Sequence, residues 1–378
     1  MTRLDSRLAD KHVVVCAGAG GVGKSTISAT VALGLAARGG RVAVVTIDPA
    51  RRLAEALGLD ELGNEPQLVD AARFAREGLE LRGELWAMML DAKRTFDELI
   101  ARLAPDPRTR EQILGNPIYE HLSTAVAGTQ EYTAMAKLFE LDREGAYDTI
   151  VLDTPPSRSA IEFLQAPDRL MSLLEGRALR AFIRPTRRVL GAAGVVFTVL
   201  RRITGVGLLD ELTTFFGLLS GLLDGFRARA VDVRELLTDP GTGFLVITSP
   251  EHAPLEEAIF FAGELERNGM RRSGVIVNRF HPLDPHERGA AVTAARLRDA
   301  LGEDLARRVA DTHAEVQELA RGDQAALERL CRDLCDPDPV CLRDREGDVQ
   351  DVDSLVDLER ELFSASGQTE SATAGRVR

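Results

Sequence analysis

Disulfide chemistry has little to work with in this chain. Of 378 residues only four are cysteine, Cys16, Cys331, Cys335 and Cys341, too few for a disulfide framework at this length, so a reducing cytoplasm is the expected setting. No charged-then-apolar leader precedes the first apolar segment, and no uncharged run reaches the ~18–20 residues that span a bilayer. A basic surplus is missing as well. The formal net charge is -12, which argues against a general nucleic-acid binder, because a phosphate backbone recruits basic surfaces. Zinc spacing is also absent: Cys331-x3-Cys335-x5-Cys341 lacks a C-x2-C pair, and Asp336-Pro337-Asp338-Pro339 between them reads as a linker. Cys16 reads as core.

What is present is a hydrophobic fraction of 44%, ample for a large α/β core or for two to three smaller units. Gly18-Ala19-Gly20-Gly21-Val22-Gly23-Lys24-Ser25-Thr26 fits G-x-x-x-x-G-K-[ST]. The apolar run from His12 to Ala17 precedes it, and an alanine-rich helical pattern from Ser28 to Ala37 follows. Strand, glycine loop and helix in that order make a phosphate cradle. Backbone N–H groups at the helix N-terminus meet an anion, and glycines let the backbone come close. In that chemistry Lys24 reaches the β/γ-phosphates and the Ser25 hydroxyl ligates Mg²⁺; Gly20, Gly21, Val22, Gly23 and Thr26 complete the cradle.

Gly39-Gly40 closes the helix, and Arg41 to Ile47 reads as a buried parallel strand ending at Asp48-Pro49-Ala50. Ligands of open α/β sheets sit at that edge, so Asp48 is expected to face the phosphates; a helix-capping Asp before Pro49 is the plainer reading. Tyr147 to Asp153 is an apolar strand ending in a carboxylate, the form of a Walker B element whose Asp orients Mg²⁺ and its waters. Phe244–Thr248 and Gly274–Asn278 are two further strands. Asn278 either pairs with a purine or simply turns the chain. Val340-Cys341-Leu342 is a short last strand, with a helix near Ser354 to Phe363 behind it. Residues 1–11 read as a polar lead-in and 364–378 as a disordered tail.

The alternation predicts a P-loop NTPase of the α/β class, a doubly wound, mainly parallel sheet flanked by helices with an inserted α-helical subdomain. One domain over residues 1–363 carries helical inserts at about 55–145 and 160–238. In the first insert, Leu85, Met89, Ala92, Phe96, Leu99 and Leu103 form one apolar stripe, and a second helical stretch runs from Ile118 to Leu141. In the second, Leu208, Leu212, Phe215, Leu219, Leu222 and Phe226 form a wider one, and Val189–Leu200 is apolar on all sides. Such faces either pack on each other or leave a groove for a hydrophobic client. Residues 169–204 hold eight Arg against Glu175 alone, a pattern that fits either an anionic membrane surface or a solvated face.

With these residues placed, the chain resembles the ArsA-type ATPases, the family of the arsenical-pump ATPase and of relatives that escort tail-anchored membrane proteins. Gly20 to Thr26, Thr46-Ile47-Asp48-Pro49-Ala50, Asp153-Thr154-Pro155-Pro156-Ser157 and Val277-Asn278 match its phosphate loop, switch I, switch II and adenine-side strand. The likeness spans roughly residues 10–365 and is greatest to a bacterial branch of anion-transporting ATPases that often occur as two sister chains. The resemblance implies ATP and Mg²⁺ as cofactors, Lys24 and the loop amides on phosphate, and Ser25 on Mg²⁺. It further implies Asp48 polarising the attacking water close to the metal, Asp153 in the metal's outer shell, and Asn278 at the base.

Four features depart from the family pattern. Ala19 stands where a lysine usually crosses a dimer to the neighbour's phosphates. Arg51 replaces a histidine after switch I, Arg158-Ser159-Ala160 replaces Gly-His-Thr, and neither the zinc-bridging cysteine pair nor an arsenite thiol triad is apparent. The expected function is therefore an ATP-hydrolysing dimeric switch that moves an apolar client-binding subdomain. Ala19 favours a heterodimer with a sister chain over a homodimer. The expected setting is the cytoplasm, with a hydrophobic client or an anionic membrane surface as further partner. Two alternatives stand beside it: a catalytically impaired regulatory subunit, and a MinD/ParA-like partition ATPase, against which the large helical inserts speak.

Overall fold

The computed structural model describes residues 3–47, 52–117, 119, 129–154, 214–215, 217–284, 290–335, 338–345, 347, 349 and 351–363. Asp48, Arg51, Arg158-Ser159-Ala160, the arginine-rich stretch, Val189–Leu200, Leu208 and Leu212 lie outside them.

Eight strands make one sheet: β1 (Val13–Gly18), β2 (Arg41–Thr46), β3 (Gln67–Leu68), β4 (Glu84–Met89), β5 (Thr149–Asp153), β6 (Thr242–Thr248), β7 (Arg272–Phe280) and β8 (Val340–Arg343). Their order is β3-β4-β2-β5-β1-β6-β7-β8. Every pairing is parallel except the short β3 against β4. The interior strands are apolar on both sides because helices cover both faces. Side chains of β1 divide by the two-residue period: Val14 and Cys16 join one core with Val44, Val151 and Ile247, while Val13, Val15 and Ala17 join the other with Val45, Leu152 and Val246.

The helices are α1 (Arg3–Leu8), α2 (Lys24–Ala37), α3 (Arg52–Ala56), α4 (Ala71–Arg76), α5 (Ala92–Leu103), α6 (Pro107–Leu114), α7 (Thr129–Glu144), α8 (Leu223–Thr238), α9 (His252–Arg267), α10 (Ala290–Leu301), α11 (Glu303–Leu334) and α12 (Val352–Phe363). The first and last described helices meet at Arg38, the residue that caps α2. Arg38 holds Asp5 of α1 at 2.6 Å and Glu359 of α12 at 2.7 Å, and its guanidinium lies 4.1 Å from the Phe363 ring centroid. Residues 3–8 are thus a helix with Leu4 and Leu8 buried, where composition suggested only a polar lead-in.

A second correction concerns the first insert. Leu85 and Met89 stand on β4, in register with Val42 and Thr46 of β2, and the helix begins only at Ala92, after Asp91 accepts from the Arg94 N–H at 2.9 Å. The four-and-three spacing ran across a strand, a turn and a helix by coincidence. From Ala92 onward the stripe is real. Phe96, Leu99 and Ile100 pack with Tyr132, Phe215, Leu219, Leu222 and Phe226 in a third cluster separate from the two sheet cores. The described members of the second stripe therefore pack rather than line an open groove.

Candidate functional site

β1 ends between β5 and β6, and its last residue is pinned there. A Cβ on Gly18 would lie 1.9 Å from the Ile247 carbonyl oxygen, so no side chain fits where β1 leaves the sheet. The loop then turns through Gly21 at φ +82° and Gly23 at φ +89°, a left-handed backbone that glycine adopts without strain. Gly23 also touches the end of β7: Asn278 Nδ2 donates to the Val22 carbonyl at 2.9 Å, and a Cβ on Gly23 would stand 2.6 Å from that nitrogen.

α2 starts at Lys24 with no side-chain cap, leaving its first N–H groups directed at the loop. Above Gly20 and Gly21 a Cβ would meet nothing within 4 Å. This open, positively polarised helix start fits a phosphate chain. Lys24 is buried, and its ammonium donates to the carbonyls of Gly18 at 2.9 Å and Ala19 at 2.8 Å. Ser25 and Thr26, both half-buried, occupy the first turn of α2.

Beneath that turn lies Asp153, fully buried at the end of β5. Thr46 Oγ1 donates to its Oδ2 at 2.8 Å, and Ser28 Oγ, which donates to the Lys24 carbonyl at 2.8 Å, stands 3.5 Å from its Oδ1. Thr154 Oγ1 donates to the Cys16 carbonyl at 2.8 Å, tying the start of the following segment to β1. Burial pushes the Cys16 thiol up to about 12, so it is inert under Ser28. The hydroxyl of Ser25 and the carboxyl of Asp153 are hard oxygen donors of the kind that Mg²⁺ takes beside phosphate and water.

The structure thus brings the loop, Lys24, Ser25, Thr26, Asp153 and Asn278 to one sheet edge. Three residues there were given no role of their own from the sequence. Ser28 follows Lys24 by one helical turn, and Thr46 precedes Asp48 by two residues; both carry a readable signal, since each sits beside an identified motif. Glu257 of α9 carries none. Its Oε1 is buried with no hydrogen-bond partner among the described residues, and burial raises its carboxyl above the ordinary carboxylate range, opposed by the charge of Lys24.

Among the described residues no helix is long and apolar enough to cross a membrane. Compared with known proteins, residues 11–317 match the model of the family described as anion-transporting ATPase. ATPase GET3 of Malassezia globosa is 26% identical over 305 residues, covering 80% of this chain and 82% of that protein. An ATPase ASNA1 homolog of Cryptosporidium parvum is 27% identical over 71% of this chain and 65% of its own length. ATPase ARSA1 of Chlamydomonas reinhardtii is 27% identical over 77% of this chain. The chain spans only 38% of the algal protein and less than two thirds of the Cryptosporidium one.

Proposed function

Because the chain belongs to the anion-transporting ATPase family, we propose that it is a magnesium-dependent ATPase working as a dimeric switch. The observation that carries this reading is the phosphate loop itself: two left-handed glycines, an uncapped helix N-terminus and a buried lysine that satisfies itself on loop carbonyls. On this reading the Gly20–Thr26 amides and Lys24 bind the phosphates of ATP. Lys24 exchanges its two carbonyl acceptors for phosphate oxygens, which are stronger acceptors for an ammonium. Ser25 and Asp153 hold Mg²⁺, directly and through water, with Asp48 close to it. A bound Mg²⁺ neutralises phosphate charge. Asp48 takes the role of orienting and deprotonating the attacking water, and Asn278, already bridging β7 to the loop, contacts the base.

Loss of the γ-phosphate removes contacts that hold the switch segments, and the helical cluster around Phe96, Tyr132 and Phe226 moves in response. The clients of that subdomain, on this reading, are hydrophobic. Ala19 is small and buried, so the reading assigns the missing cross-dimer cation to a sister chain in a cytosolic heterodimer. The same observation favours the second reading, a nucleotide-binding regulatory subunit with weak turnover of its own.

Calorimetry with Mg-ATP and a phosphate-release assay test the proposal. Binding is expected for the wild type and loss of binding for Lys24→Ala. Asp48→Asn should retain ATP but lose turnover by about a hundredfold. An Asp48→Asn variant as active as wild type overturns the catalytic assignment and favours the regulatory subunit. Adding the sister chain should raise turnover, and a fully active homodimer removes the need for one.

A further inference from the structure

The longest helix among the described residues, α11, carries a buried row and, beside it, an exposed apolar one. Ala306, Ala310, Gln317 and Ala320 are buried against the body of the protein. One position round, Leu305, Val309, Val316 and Leu319 are exposed by 46, 39, 40 and 57%. With Thr312 between them they follow the four-and-three spacing of a helix that packs lengthwise on another helix. From Leu305 to Leu319 the row is roughly 21 Å long at 1.5 Å per residue. Nothing in the ATPase reading uses it.

The charges beside the row say what covers it. Arg307 and Arg321 are engaged on their own helix, with Asp304 and Glu318 respectively. Arg308 and Glu315, seven residues apart on the same edge of the row, are both exposed, and neither makes an ion pair among the described residues. Reversing the helix about Thr312 brings Leu305 onto Leu319, and sets Val309 within one residue of Val316 and Arg308 within one residue of Glu315, an axial offset of about 1.5 Å in each case. A two-fold axis makes each of these contacts twice. The row thus matches its own antiparallel copy in apolar spacing and in charge. A parallel copy would set Arg308 near His313 and leave Glu315 unanswered.

We propose that the exposed row of α11 is a homotypic docking surface, on which a second copy of this chain binds antiparallel about Thr312. This contact is distinct from any association made through the phosphate loops, and it needs no nucleotide.

Sedimentation velocity of the nucleotide-free, full-length chain tests it between about 1 and 100 µM, the range expected for a short, wet contact. A concentration-dependent dimer is expected. Arg308→Glu alone and Glu315→Arg alone each set like charges opposite one another twice, and each should weaken the dimer about tenfold. The double exchange should restore it, and Val316→Glu should abolish it. All these positions are exposed, and circular dichroism checks that each variant keeps its fold. A Thr312→Cys variant should form a disulfide to its own copy, identified as the 312–312 peptide pair. A chain monomeric throughout, or a dimer in which the double exchange gives no rescue, overturns the proposal. A dimer that appears only with Mg-ATP and ignores both charge exchanges would also overturn it while leaving the ATPase reading intact.

Discussion

Thr46 and Asp153 face each other across the last rung of the β2–β5 ladder, and the threonine hydroxyl donates to the carboxyl at 2.8 Å. Two strands far apart in sequence therefore present one polar pair under the phosphate loop, at the edge where open parallel sheets hold their ligands. Thr46→Val should destabilise the protein by about 1.5–3 kcal/mol, because a buried carboxyl loses a donor it cannot replace from water. Urea unfolding measures that loss. Asp153→Asn should keep the fold and lower Mg-ATP turnover by about a hundredfold.

Glycines of the loop should divide into two groups. Gly18→Ala drives a methyl into the Ile247 carbonyl at 1.9 Å, and a backbone atom has nowhere to move; a loss of about 3 kcal/mol or more is expected. Gly20→Ala meets nothing within 4 Å and does not occupy a left-handed conformation, so its thermal stability should stay near wild type. Any effect of Gly20→Ala belongs to nucleotide binding, which calorimetry reads separately.

Asn278 links β7 to the loop through the Val22 carbonyl. Asn278→Ala should cost about 1 kcal/mol of stability and weaken adenine nucleotides more than inorganic triphosphate. Equal weakening of both would move Asn278 from base recognition to loop support.

Glu257 sets a pH dependence. Its carboxyl titrates above the ordinary range because burial disfavours the charge more than Lys24 favours it. Stability contributed by the neutral form is therefore complete below the unfolded pKa and declines as pH rises through the raised one. Glu257→Gln keeps the neutral form at all pH. Its melting temperature should match wild type near about pH 4 and exceed it by about pH 7. An equal or lower value at the upper end would show that the Lys24 attraction outweighs burial.

The four thiols should react unequally. Burial pushes both Cys16 and Cys341 up to about 12, whereas Cys335 is exposed at the end of α11. Iodoacetamide near pH 8 should label Cys335 first and leave Cys16 and Cys341 largely unmodified until the protein is unfolded, as peptide mass spectrometry can follow.

Much of the site was legible because its signals are local. Glycines where the chain must turn left-handed, an apolar strand before them and an alanine-rich helix after them specify strand, loop and helix within about thirty residues, through backbone sterics and nearby hydrogen bonds. The apolar run into Asp153 and the β7 segment ending near Asn278 were readable for the same reason. Contacts between distant segments were not. The meeting of Thr46 and Ser28 with Asp153 and of Asn278 with Val22, and the placing of Glu257 within electrostatic reach of Lys24, depend on strand order and register, which a hydrophobic pattern leaves open. Leu85 and Met89 show the limit most plainly: their spacing suits a helix, yet they pair with β2 as a parallel strand, because tertiary pairing outweighs a short periodicity. Local sequence determined where phosphate can dock. Only the assembled sheet decided which hydroxyls and carboxyls surround it, and only the packing of α11 decided which of its two rows stays exposed.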